Sequence, residues 1–258
     1  MLARLSPDIR QYLLITGNYW AFTLTDGALR MLVVLHFHQL GYSPLQVALL
    51  FLFYEIFGVI TNLVGGWLGA RIGLNRTMNI GLAMQVIALS MLLVPAAWLT
   101  VPWVMAAQAL SGIAKDLNKM SAKSSIKLLV PGDQQGTLFR WVAALTGSKN
   151  ALKGIGFFLG GALLTTLGFA TAVAVMAGAL LLVCAVFAYL SPQAFATLDN
   201  AINVTRQIAF LVLIAVGATF VMAAGEFDLS VGAMASFAGV MAAQLAVSGM
   251  DVTAAVVL

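Results

Sequence analysis

Apolar runs of about twenty residues recur along this chain, each long enough to cross roughly 30 Å of hydrocarbon as a helix. Lipid offers the backbone no hydrogen-bond partners, so each run has to satisfy its own N–H and C=O groups. The composition agrees: 62% of residues are hydrophobic, 9% are charged, and the mean hydropathy is +1.00. The expected fold class is all-α, a polytopic membrane protein. A soluble nucleic-acid-binding protein is excluded despite the basic balance. So is a secreted disulfide scaffold, because Cys184 is the one cysteine and sits in an apolar run as a small packing residue.

Proline, glycine and charge divide the first part into six spans, at about residues 11–39, 44–70, 77–94, 101–129, 138–167 and 171–190. Pro131-Gly132-Asp133 breaks the chain between the fourth and fifth. The N-terminus and the loops after spans 2 and 4 carry Lys or Arg, whereas the loops near Gly41, Pro95 and Gly168 carry none. Alternate basic loops place the N-terminus in the cytoplasm. The first run contains Asp26 and Arg30 and lacks a small-residue cleavage site, so it reads as a retained span rather than a signal peptide.

The character changes at Ser191-Pro192. Residues 1–193 hold twelve Lys or Arg against five Asp or Glu; residues 194–258 hold one against four. The tail reads as a polar segment (197–206), a span (207–224), the insert GEFDLSVG and a further apolar helix (233–247). Two units are expected, 1–192 and 193–258, the second cut short.

Seven of the thirteen cations lie between Ser111 and Lys153. Lys115, Lys119, Lys123 and Lys127 recur every four residues, along one drifting side of a helix. Lys149 and Lys153 repeat that spacing one span later. Depth along the spans puts Lys115, Lys149 and Lys153 near mid-membrane and leaves Lys123 and Lys127 near the cytoplasmic surface. A buried ammonium is costly unless paired or wet. Several facing one space repel each other until a multivalent anion enters, so these three are candidate substrate-binding residues for a phosphate-like or polycarboxylate anion. Asn118, Ser121, Ser148 and Asn150 are candidates for neutral hydrogen bonds to it.

Asp26 and Arg30, one helical turn apart, are expected to pair, with Arg30 facing a cavity and Asp26 orienting it. Structural pairing alone would explain them equally well. Glu55 lies in the middle of span 2. A carboxylate with apolar neighbours holds a proton that a paired one releases, which makes Glu55, with Asp26, a candidate for proton coupling. A hydrogen-bonded structural Glu is the simpler alternative. His36 and His38 point to different faces and have no cluster of further ligands, so they read as interface residues. The sequence holds no Gly-rich phosphate loop, nucleophile elbow or HExxH; neither cofactor nor metal is expected, and no enzyme activity. Gly156, Gly160 and Gly161 in span 5, and Gly65, Gly66 and Gly69 in span 2, allow close helix approach.

Residues 1 to about 190 resemble the N-terminal half of a major facilitator superfamily transporter. The loop Gly66-Trp67-Leu68-Gly69-Ala70-Arg71-Ile72-Gly73-Leu74-Asn75-Arg76 is similar to that superfamily's signature at Gly66, Arg71, Gly73 and Arg76, with Ala70 where the signature has Asp. Gly156–Gly161 resembles its antiporter glycine motif, with Phe157 in place of Pro. Both imply gating or conformational roles. The stretches RQYLLITGNYWAFTLTDGALRMLVVLHFHQLGYSP, LFYEIFGVITNLVGGWLGARIGLNRTMNIG and ALSGIAKDLNKMSAKSSIKLLVP look like the organoarsenical efflux permeases of bacterial arsenic-resistance operons. That resemblance implies export of arseno-phosphoglycerate across the bacterial inner membrane. It also implies a glyceraldehyde-phosphate dehydrogenase as functional partner. The tail, through Phe195–Asn200, Asn203–Gln207 and Ala224–Gly232, is similar to permease subunits of ribose-type ABC sugar importers. Within it Asp228 and Ser230 are expected to cap a helix.

Three functions follow as expectations. The first is an anionic organoarsenical exporter, whose missing second half a homo-oligomer could replace. The second is a sugar importer subunit, and the third a rearranged membrane protein that transports nothing.

Overall fold

The computed structural model describes residues 7–130 and 134–190, with isolated positions beyond 190. The Pro131–Asp133 break and the expectations for the tail, including its spans and Asp228 and Ser230, lie outside the described residues. Among the described residues the structure is helical, without strands: α1 (Pro7–Gln39), α2 (Pro44–Leu50), α3 (Leu52–Ile72), α4 (Leu74–Met91), α5 (Val101–Leu129), α6 (Gln135–Leu167) and α7 (Phe169–Leu190).

The helix ends follow local chemistry. Ser43 caps α2: its hydroxyl accepts from Gln46 N, and Gln46 Oε1 accepts from Ser43 N at 2.8 Å, with Pro44 opening the helix. Gly73 (φ +94) and Gly168 (φ +75) turn the chain where α3 meets α4 and α6 meets α7, in a backbone region open to glycine. The Trp103 indole donates to Met91 O at 2.6 Å and fastens the turn between α4 and α5. The expected second span is interrupted. At Phe51 the N–H turns back to Ala48 O and Leu49 O, separating α2 from α3. No proline or glycine marks that position, so periodicity runs through it unbroken.

α5 is the central helix, buried at most positions from Val104 to Ile126 and held between α3 and α4. α1 packs chiefly on α6 and also touches α5 and α7, while α7 closes against α4. The core is built on Phe22, Leu29, Leu32, Tyr54, Ile80, Leu82, Met84 and Leu110. By contrast α6 buries only Leu145, Gly156, Gly160 and Leu164, and α7 presents Leu182 and Tyr189 outward. Phe158 on α6 is 84% exposed. Apolar faces of this extent are suited to hydrocarbon rather than water.

Three described segments are by themselves long and apolar enough to cross a membrane: Pro44–Asn62, Gln135–Leu167 and Phe169–Tyr189. The other long helices carry polar residues that face inward. Asn18 and Asp26 on α1, Asn79 and Gln85 on α4, and Gln108, Ser111, Asp116 and Asn118 on α5 are all buried. Their hydropathy is lower because the bundle has a polar interior.

Candidate functional site

The polar interior opens into a cavity of about 150 Å³ lined by Tyr19, Phe22, Thr23, Asp26 and Arg30 of α1, Glu55 of α3, Lys115 and Lys119 of α5, and Lys149 and Lys153 of α6. Four helices therefore contribute to one space, α1, α5 and α6 at mid-length and α3 in its first turn.

Glycines bring the walls together. A Cβ at Gly112 would run into the backbone carbonyl of Tyr54, and one at Gly58 would meet Asp116 Oδ2 at 2.6 Å. The α3–α5 crossing thus seats Tyr54 and Glu55 beside Lys115 and Asp116. On the other side a Cβ at Gly156 would come within 2.7 Å of Leu24 O, and one at Gly160 would collide with Ala28 O. This contact presses α6, with Lys153 about one turn and Lys149 about two turns before Gly156, against α1. Gly161 faces only Leu35 Cδ1 at 3.6 Å, an ordinary contact.

Tyr54 is the hub. Its ring is fully buried, and its hydroxyl reaches both oxygens of Asp26, at 2.8 and 2.9 Å. Arg30 Cζ sits 4.7 Å and Lys115 Nζ 4.1 Å from the ring centroid, so one π-face system supports two cations. Arg30 Nη2 lies 3.4 Å from Glu55 Oε1, and Lys115 Nζ lies 3.6 Å from Glu55 Oε2. Behind the lining Asp116, 3% exposed, takes Lys119 Nζ at 3.1 Å and Asn62 Nδ2 at 2.9 Å, with Lys115 Nζ 3.5 Å from its other oxygen. Lys149 and Lys153 have no carboxylate partner among the described residues. Lys153 Nζ lies 5.8 Å from the centroid of the Phe157 ring, and Lys149 stands in the field of Lys119, Lys153, Lys123 and Lys115. Counted along the lining, five cations face two carboxylates.

The structure brings Arg30, Lys115, Lys149, Lys153, Asp26 and Glu55 around one cavity. It differs from expectation in their pairing. The ion pair of Arg30 is with Glu55, and Asp26 accepts instead from Tyr54, because α3 lies close enough to compete with the neighbour one turn away. Glu55 consequently has two cations beside it. Asn118 does not reach the cavity: it is fully buried and donates to Met78 O at 3.3 Å, toward α4. Asn150 is exposed and lies outside the lining. Ser148 accepts from the Trp20 indole at 2.8 Å. His36 stacks on Phe169 with ring centroids 4.0 Å apart. Gly66 lies within α3, Arg71 and Arg76 are exposed on either side of the turn, and Gly73 makes it. Tyr54, Asp116 and Gly112 escaped the sequence reading, and Lys119 entered it only as a member of the four-residue lysine series; an aspartate flanked by lysines in an apolar span was the available signal.

A multi-pass helical bundle with a charged cavity between its helices is the architecture of a transporter-fold membrane protein. Residues 13–257 match the family model of the Major Facilitator Superfamily, and the chain belongs to that superfamily. Its fold is shared with a solved structure of proton dependent oligopeptide transporters (TM-score 0.67, 14% identity, 92% of this chain and 53% of that one). It is shared also with the peptide transporter POT in complex with sulfate (TM-score 0.55, 18% identity, 91% and 50%). A shorter similarity is to the Ribose import permease protein RbsC of Bacillus subtilis (strain 168), 44% identical over 59 residues, 23% of this chain and 18% of that protein. The chain spans about half the length of the solved transporters and under a fifth of that permease.

Proposed function

We propose that this chain is the first six-helix half of an exporter for a multiply charged organic anion. The anion is arseno-phosphoglycerate, supplied from arsenate by a partner glyceraldehyde-phosphate dehydrogenase, and it leaves across the bacterial inner membrane. The observation that carries the reading is the excess of cations around one cavity, with Lys149 and Lys153 lacking a carboxylate partner among the described residues. Unpaired ammonium groups in a confined, partly dry space favour entry of negative charge. In this reading Arg30, Lys115, Lys149 and Lys153 bind the anion. Glu55 and Asp26 are the proton-coupling groups, since a proton on Glu55 would release Arg30 and Lys115. Gly73, Arg71 and Arg76 at the α3–α4 turn, together with Gly66, Gly156, Gly160 and Gly161, serve the conformational change. The N-terminus is cytoplasmic.

The similarity to a ribose permease over 59 residues supports a second proposal, that residues 193–258 are a piece of a sugar permease joined to the first unit. It also keeps sugar import as the competing function.

The test is arsenate resistance in an arsenic-sensitive bacterium that expresses the chain together with the dehydrogenase. Resistance that is lost in Lys149→Ala/Lys153→Ala supports the reading. Resistance unchanged by that pair would remove the anion assignment. No resistance from an inserted chain would favour a half-site that does not transport.

A further inference from the structure

The three carboxylates near the cavity are held very differently. Asp26 is 5% exposed and takes the Tyr54 hydroxyl on both oxygens. Asp116 is 3% exposed and takes Lys119 and Asn62 at 3.1 and 2.9 Å. Glu55 has a side chain 58% exposed, and its cations stand 3.4 and 3.6 Å away. Charge-assisted pairs in good geometry close to about 2.7–2.9 Å. The Glu55 contacts are therefore loose, and solvent reaches them.

The cations do not need Glu55 for their position. Arg30 rests on the rings of Tyr54 and Phe51, at 4.7 and 5.5 Å from their centroids, and Lys115 rests on Tyr54. Both are less exposed than their partner, at 24% and 22%. One exposed carboxylate thus spreads its two oxygens across two cations fixed by a buried ring, which is how an oxyanion would sit on them. The other charged or titratable groups lining the same space are Tyr19 and Asp26 on α1, Lys119 on α5, and Lys149 and Lys153 on α6, with Asp116 behind Lys115.

We infer that Glu55 is a built-in stand-in for the substrate: its carboxylate occupies the Arg30–Lys115 cleft in the empty protein, and an incoming oxyanion displaces it. The inference rests on the anion-site reading above. It gives Glu55 a role opposite to that of a supporting residue, because removing its charge opens the site instead of weakening it. It also sets a selectivity threshold: an anion enters only when its charge competes with a tethered carboxylate.

The full chain in detergent, checked for a single folded species, would be titrated calorimetrically with 3-phosphoglycerate as the probe. Glu55→Gln should bind it more tightly by up to about fivefold, the factor that loss of a competing exposed ion pair implies. That gain should vanish in Arg30→Gln/Glu55→Gln, since the vacated cation is then missing. If the wild type binds and Glu55→Gln binds equally or more weakly, Glu55 organises the cations and the inference is overturned, while the anion site stands. If neither folded protein binds the probe, the anion-site reading falls and takes this inference with it.

Discussion

Gly160→Ala should separate the α1–α6 wall of the cavity. The new methyl would collide with Ala28 O and lie 3.0 Å from both Ala28 C and Ala28 Cα. All three are backbone atoms, so no side chain can swing aside, and the helices must part. Forcing a methylene into such a contact costs about 1–3 kcal/mol and sometimes more. For a described bundle of this size each kcal/mol moves the melting midpoint by about 2–4 °C. Thermal unfolding of the detergent-solubilised chain should therefore show a midpoint lowered by roughly 4–10 °C. Gly154→Ala is the control on the same helix, two turns earlier, where a Cβ meets nothing within 4 Å. There alanine removes glycine's backbone entropy and gains up to about 1 kcal/mol. Gly161→Ala should resemble the control. Equal midpoints for Gly160→Ala and Gly154→Ala would refute the claim that α1 and α6 touch backbone to backbone at this point.

Tyr54→Phe removes the hydroxyl that both Asp26 oxygens share and leaves a buried acceptor unpaired. The expected loss is about 1–3 kcal/mol in the same melting assay, with anion binding less affected because the ring beneath Arg30 and Lys115 remains. Asp116→Asn should split stability from binding: a lower midpoint by roughly 1–3 kcal/mol, since Lys115 and Lys119 still reach solvent, but tighter 3-phosphoglycerate binding by calorimetry because one competing charge is gone. Raising the salt concentration should weaken that binding steeply in the wild type and less in Lys149→Ala/Lys153→Ala, which has two fewer cations to screen.

Much of this was legible in the chain itself. Proline and glycine fixed most helix ends, and α5 begins and ends where the spacing puts it. Counting depth along each span was enough to gather Arg30, Glu55, Lys115, Lys149 and Lys153 around one space, because α1, α5 and α6 meet at mid-length and the first turn of α3 joins them there. Rotation was harder to read. At about 100° per residue, Asn118 lies roughly 60° to one side of Lys115 and Lys119 roughly 40° to the other. The small difference sends Asn118 to α4 and Lys119 to the cavity. Partner choice was invisible for a related reason. Asp26 and Arg30 satisfy every local rule for pairing, yet Tyr54 and Glu55 on another helix displace that arrangement. Their approach is set by Gly58 and Gly112, which no charge pattern announces.

The lining carries five cations against two carboxylates, and in the exporter proposed above, were its site to face the two sides of the membrane in turn, this surplus would have an electrical meaning. Asp116, just behind the lining, pairs with Lys119 and Lys115 and leaves a net surplus of two charges; a divalent guest would cancel it, so the occupied site would cross without responding to voltage. The vacant site would return carrying positive charge toward a negative cytoplasm. Each elementary charge moved through a full 100 mV is worth about 2.3 kcal/mol. In the proposed exporter the resting potential of the cell would then help pull the emptied carrier back to its loading position, adding to the drive from the proton-coupled step.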